Sequence, residues 1–125
     1  MRLNQVTVPS IDLNKSVVFY ESLGLKRIVD SLPNYVRFLC PDGDSTFSVH
    51  RVDELPSGDG IYVYFETEDL EKYAEQFNDQ DVAFEGPNDQ PWLWTELRVY
   101  DPDGNKIILF TAGENRISPP WRINP

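Results

Sequence analysis

The chain has 125 residues, 40% apolar and 26% charged, and its 21 acidic against 11 basic side chains give a formal charge of −10. That length supports one domain with its own core, and the composition is far from that of a disordered chain. The charge repels phosphate backbones and excludes nucleic acid as an expected partner; the apolar runs are too short to span a membrane, and the lone Cys40 allows no internal disulfide.

Met1-Arg2-Leu3-Asn4-Gln5 has no apolar signal region, so a cytoplasmic address is expected. Leu3 to Pro9 alternates as a half-buried strand does. Asp12 is placed to cap a helix in which Leu13, Ser16, Val17 and Tyr20 share one face, and Gly24 to end it in a left-handed turn. Strands follow over about Lys26 to Asp30, Tyr35 to Cys40 and Thr46 to Val52, separated by Pro33-Asn34 and Pro41-Asp42-Gly43 turns. Cys40 is expected to be a packed strand residue.

The second half repeats this order. Ile61 to Glu66 reads as a strand, Asp69 caps a helix bearing Leu70, Tyr73, Ala74 and Phe77, and Val82 to Phe84 is a short strand. A loop is expected over Gly86-Pro87-Asn88-Asp89-Gln90-Pro91, then strands over Trp94 to Tyr100 and Lys106 to Thr111. Asp12-Leu13 is answered by Asp69-Leu70 57 residues later, and Cys40-Pro41-Asp42-Gly43 by Asp101-Pro102-Asp103-Gly104 61 residues later. Two copies of so long a period indicate one domain of two similar halves, about 1–53 and 60–112. A tail over 113–125 has no counterpart, and its Pro119-Pro120-Trp121-Arg122 is too apolar to hang free.

Laying one half on the other sorts the strand faces. Val6 and Val8 fall on Val63 and Phe65, Val36 and Phe38 on Leu97 and Val99, and Phe47 and Val49 on Ile107 and Leu109. That layer faces the helices. The opposite layer holds Gln5, Thr7, Tyr35, Arg37, Ser48 and His50 from the first half, with Tyr62, Tyr64, Glu66, Glu96, Arg98, Ile108 and Phe110 from the second. A solvated sheet face accounts for the polarity alone; aromatic residues among Glu, Arg and His fit a concave ligand-binding face better. Trp92 and Trp94 either stack on a planar ligand or cover an edge or dimer seam. Asp42-Gly43 and Asp103-Gly104 are turn formers.

These features together resemble the vicinal oxygen chelate superfamily, which includes glyoxalase I, bleomycin resistance proteins and extradiol dioxygenases. The resemblance is carried by Asp12-Leu13, Ser16, Phe19-Tyr20, Leu23-Gly24-Leu25 and Asp101-Pro102-Asp103-Gly104-Asn105 before a final apolar strand, and covers about residues 3 to 112. It implies an α+β fold in which two tandem βαβββ modules form a concave, cleft-lining mixed sheet with helices on the outer face. It also implies a homodimer, with the tail against the partner or the adjacent half, or folded on its own subunit.

In metal-dependent members one divalent ion is held by the first and last strands of each half and acts as a Lewis acid. Those positions carry over to Gln5, Ser48, Tyr62 and Ile108. Only Gln5 is a plausible ligand, so no metal or other cofactor is expected at the usual place. A rearranged Zn, Ni, Mn or Fe site from Gln5, His50, Glu66 and Glu96 is the alternative. The local reading has His50 hydrogen-bonded nearby and Glu96 paired with Arg37 or Arg98.

Two functions follow as expectations. One is a small-molecule-binding protein of the glyoxalase/bleomycin resistance type, its ligand contacted by Gln5, Thr7, Arg37, Ser48, Tyr62, Tyr64, Trp92, Trp94, Arg98 and Phe110. The other is a divalent-metal-dependent lyase, isomerase or dioxygenase in which His50 and Glu96 are catalytic.

Overall fold

The structure, a computed structural model, describes residues 1–123; the last two residues of the tail lie outside the described residues. The chain divides into two compact units, one of Met1–Gly60 with Asp101–Asn105, the other of Ile61–Tyr100 with the residues from Lys106 on. Each is a βαβββ module, so the fold is α+β as expected.

In the first unit β1 (Gln5–Ser10), α1 (Leu13–Ser22), β2 (Lys26–Ser31), β3 (Tyr35–Leu39) and β4 (Thr46–Arg51) follow in chain order. The strands form a sheet in the order β1-β4-β3-β2, with β1 parallel to β4 and the other pairs antiparallel. The second unit repeats this with β5 (Tyr62–Glu66), α2 (Leu70–Asp79), β6 (Phe84–Asp89), β7 (Thr95–Tyr100) and β8 (Lys106–Thr111), in the order β5-β8-β7-β6. Among the described residues no helix is long and apolar enough to cross a membrane.

The helices begin where capping chemistry puts them. Asp12 Oδ1 accepts from the Asn14 N–H at 3.1 Å and Asp69 Oδ1 from the Lys72 N–H at 3.2 Å, each satisfying an otherwise orphaned first-turn donor. They end alike as well. Gly24 has φ +90°, and Asp81, its counterpart in the second module, has φ +55°. Asp is one of the few residues that enters the left-handed region readily.

Each core lies between one face of a sheet and its helix. In the first unit Val8, Val36, Phe38, Phe47 and Val49 are buried with Leu13, Val17 and Tyr20 of α1. The Tyr20 ring sits 4.6 Å from that of Phe47 and 6.0 Å from that of Phe38. In the second unit Val63, Leu97, Val99, Ile107 and Leu109 are buried with Leu70, Ala74 and Phe77. Burying one such side chain contributes about 1.5–3 kcal/mol, so period-two burial decides register and face together.

Two expectations need correction. The segment read as a loop over residues 86–91 is mostly strand: β6 pairs with β7 as Phe84↔Val99 and Glu85↔Arg98, then again as Asn88↔Glu96 and Asp89↔Thr95. Gly86 and Pro87 form a bulge between these pairs, which suits a residue with φ +102° followed by one lacking an N–H. Val82 lies outside the strand. Cys40 lies just beyond β3, not within it, and is half-buried; burial pushes its thiol pKa up.

The Asp101–Asn105 turn belongs to the first unit because its side chains clamp the start of α1. Asp101 Oδ1 accepts from the Asp103 and Asn105 N–H groups, and Oδ2 from Asn105 Nδ2 at 2.8 Å and the Tyr20 hydroxyl at 2.5 Å. Asn105 Nδ2 also donates to the Pro9 carbonyl at 3.1 Å, while Asp103 accepts from the Ile11 N–H at 2.9 Å and the Ser16 hydroxyl at 3.3 Å. These aspartates are turn formers, as read from the sequence, and they are also the fastening of β1 to α1.

Burial pushes the Tyr20 phenol pKa far up, and the adjacent Asp101 carboxylate adds to the shift. An unfolded tyrosine ionises near pH ~10, so this term stabilises fully below that pH and is lost as pH rises above it. Tyr20→Phe is expected to cost roughly 1–2 kcal/mol at neutral pH and to flatten the alkaline loss of stability. Urea titrations across the alkaline range check both effects; an unchanged alkaline slope contradicts the assignment.

Candidate functional site

The repeat sorts the polar faces correctly. In the first unit the register sets Thr7 beside Ser48 and Ser48 beside Arg37, and Pro9 beside His50 and His50 beside Tyr35. In the second it sets Tyr64, Ile108 and Arg98 in one row and Glu66, Phe110 and Glu96 in the next.

On the first unit these residues form a small hydrogen-bonded network. The Thr7 and Ser48 hydroxyls are 2.5 Å apart, and Arg37 Nε donates to the Tyr35 hydroxyl at 2.9 Å. Burial alone would raise the Tyr35 phenol pKa, but hydrogen bonds with Ser48 and Arg37 and the guanidinium charge outweigh it, so the net direction is downward. Sequence reasoning placed Tyr35 on this face without assigning it a part. Gln5 Oε1 accepts from the Thr46 hydroxyl at 2.7 Å. His50 is exposed.

The second unit gathers the aromatic residues around a buried carboxylate. Glu96 is 1% exposed. Its Oε1 accepts from Arg98 Nη2 at 3.0 Å and Nε at 3.3 Å, and its Oε2 from Trp92 Nε1 at 2.8 Å. The ion pair with Arg98, one of the two expected for Glu96, exists, and it runs along β7 and not across strands. A Cβ at Gly86 would lie 2.5 Å from the Glu96 carbonyl oxygen, so only glycine lets the bulge close on β7 at this point.

Leu93, with φ +68°, turns the chain tightly between the two indoles, and the Gln90 N–H donates to the Trp94 carbonyl at 2.8 Å. Trp94 stacks on Phe110 at 4.5 Å between centroids and 17° between planes, and Tyr64 meets both rings edge-on. The result is a cleft of about 410 Å³ lined by Tyr64, Trp92, Trp94, Asn115, Arg116, Pro119 and Trp121. Burial raises the Tyr64 phenol pKa and the Glu96 charge adds to it. Tyr62 stands apart, with the Lys106 ammonium 4.6 Å from its ring centre.

Asn115 and Arg116 were not picked out by sequence, and Trp121 was read only as part of a packed tail and not as a ligand contact. They lie in the tail, which folds on its own module through a 3₁₀ turn, Gly113–Arg116, and through a hydrogen bond from Trp94 Nε1 to the Asn115 carbonyl at 3.4 Å. The one signal available was the aromatic content of Pro119-Pro120-Trp121.

The profile of the Glyoxalase/Bleomycin resistance protein/Dioxygenase superfamily matches residues 2–109. The chain belongs to that superfamily. Similar solved structures include a lactoylglutathione lyase from Agrobacterium tumefaciens, with 18% identity, TM-score 0.73, and coverage of 88% of this chain and 92% of that one. A glyoxalase/bleomycin resistance protein/dioxygenase from Nocardioides has 20% identity and TM-score 0.75, covering 99% of this chain and 90% of that one. A bleomycin-binding protein complexed with bleomycin has 18% identity and TM-score 0.73, covering 89% and 98%. At such identities the likeness is one of fold. No curated protein matches the chain.

Metal-dependent members of the superfamily would place a divalent ion on Gln5, Ser48, Tyr62 and Ile108, and the donors here do not fit it. Ile108 is a buried hydrocarbon, the buried Ser48 hydroxyl is bonded to Thr7, and Tyr62 carries a cation against its ring. Gln5 alone has a suitable oxygen. Of the rearranged set, Gln5 and His50 belong to the first unit and Glu66 and Glu96 to the second. Both Glu96 oxygens are already committed, and Glu66 faces Arg116 at 3.8 Å.

Removing the cation from beside a buried carboxylate is costly, less so here than for a fully buried pair because Arg98 is 43% exposed. Arg98→Met is expected to destabilise by roughly 2 kcal/mol, and that cost should shrink in a Glu96→Gln background. A double-mutant cycle by urea unfolding checks this; additive effects would mean the two groups are not coupled.

Proposed function

We propose that this superfamily member binds a planar small molecule in the aromatic cleft of its second module, without chemistry at the usual metal positions. One observation carries the reading: all three tryptophans of the chain, Trp92, Trp94 and Trp121, line this one cleft. Indole faces recognise flat apolar ligands through area and stacking at little conformational cost. The volume lies within the range of small-molecule sites. Trp92 is held from behind by Glu96, so its exposed face is presented without the rotamer cost of ordering it.

The bleomycin-binding protein gives the reading a parallel, a protein of this fold crystallised with a ligand. The donor set supports the metal-free half of the proposal. Gln5, Ser48 and Glu96 engage their oxygens in hydrogen bonds, and a metal would have to displace those partners.

Because every tryptophan sits at the cleft, intrinsic emission reports on it alone. Titration with bleomycin and a panel of planar aromatic compounds is expected to give saturable quenching for at least one, weakened about tenfold by Trp92→Ala and confirmed by calorimetry. The reading fails if ligands bind with no change in emission and with no loss in Trp92→Ala. It fails equally if protein incubated with Zn, Ni, Mn or Fe takes up metal stoichiometrically and turns over a carbonyl or catechol substrate in a manner abolished by His50→Ala.

A further inference from the structure

The superfamily match ends at residue 109 and β8 at Thr111, yet one wall of the cleft is built from the tail. That wall is ordered by its own contacts. The Ser118 N–H donates to the Glu114 carbonyl at 2.7 Å, Arg122 Nη1 to the Ser118 hydroxyl at 3.0 Å, and the Trp94 indole to the Asn115 carbonyl.

Among the described residues Arg116 is the one charged side chain lining the cleft. Its partner Glu66 is 3.8 Å from Nε, too long for a hydrogen bond, and both side chains are about half exposed. The guanidinium is therefore held near the cleft by a weak, solvent-screened contact. Meanwhile the indole N–H groups of Trp92 and Trp94 are already committed to Glu96 and Asn115. Stacking surface is plentiful here, and the charged recognition falls to a planar, forked cation that pairs best with a carboxylate.

We infer that the tail makes this cleft selective for a planar aromatic carboxylate, its ring between the tryptophans and its carboxylate on Arg116, which turns from Glu66 to the ligand. The inference rests on the reading that the cleft binds a planar ligand at all. The formal charge of −10 does not oppose it. That charge is spread over the surface and screened within a Debye length of about 8 Å at physiological salt, whereas Arg116 acts in contact. Glu66 then serves as a placeholder that keeps the guanidinium oriented and competes with the ligand for it.

Three probes with one ring and three charges test this: indoleacetate, tryptophol and tryptamine, titrated calorimetrically into the full chain. Indoleacetate is expected to bind tightest. Arg116→Gln should weaken it by about tenfold and leave tryptophol unchanged, Arg116→Lys should restore part of the loss, and Glu66→Gln should strengthen indoleacetate severalfold. The opposite sign in Glu66→Gln keeps the test decisive should Arg116→Gln fold poorly. Equal binding of the three probes, or a preference for tryptamine, overturns the charge selection and leaves the stacking site standing. Binding by none of them overturns both.

Discussion

A carboxylate removed almost wholly from water must be paired, and Glu96 meets that requirement in a way that shapes everything around it. One oxygen takes the Arg98 guanidinium and the other the Trp92 indole, so the same buried charge fixes a cation on β7 and an aromatic wall at the end of the preceding turn. The β6 bulge at Gly86 lets the neighbouring strand approach the Glu96 backbone closely. Trp92 is tied to Glu96, the tight turn at Leu93 delivers Trp94 onto Phe110, and the Trp94 indole bonds the Asn115 carbonyl of the tail. Each step uses the one before it, and the cleft is where the sequence of constraints ends.

The two modules share a backbone plan but solve their helix attachment differently. Tyr20 and Asp101 make a buried hydrogen bond in the first unit. Their counterparts by repeat are Phe77 and Cys40, neither able to form such a bond. The second helix is held by apolar packing, with the Phe77 and Phe84 rings 5.8 Å apart. The first is pinned by a turn rich in acceptors. A duplicated fold needs one good solution for strand register in both copies, because a slip by one residue inverts every side chain; it tolerates two solutions for the helix, where a stripe of contacts suffices.

What the sequence made legible follows from which forces are periodic. Alternation in β1, β3, β5 and β7 and the caps Asp12 and Asp69 were readable because burial at period two and first-turn capping act locally. The face assignments, including Glu96 and Arg98 together with Tyr64 and Phe110, were readable because two copies constrained each other. Gly86-Pro87 misled, since the same residues that make turns also make bulges, and only the partner strand tells them apart. The Tyr20–Asp101 bond joins residues 81 apart and has no local signature. Arg116 was invisible for another reason: the tail has no copy to be compared with, and a lone arginine in an irregular segment carries no pattern.

Chemistry on the sheet faces turned away from the helices is limited by what the oxygens there already do. A divalent metal needs several unencumbered donors converging on one point. Ser48 is bonded to Thr7, Glu96 to Arg98 and Trp92, and Ile108 offers nothing. Freeing Glu96 for a metal would strand Arg98 and release Trp92 at once, so gaining one ligand would dismantle the aromatic wall. The same carboxylate cannot both hold a Lewis acid and hold the indole. In this member of the superfamily its bonds are those of the second role.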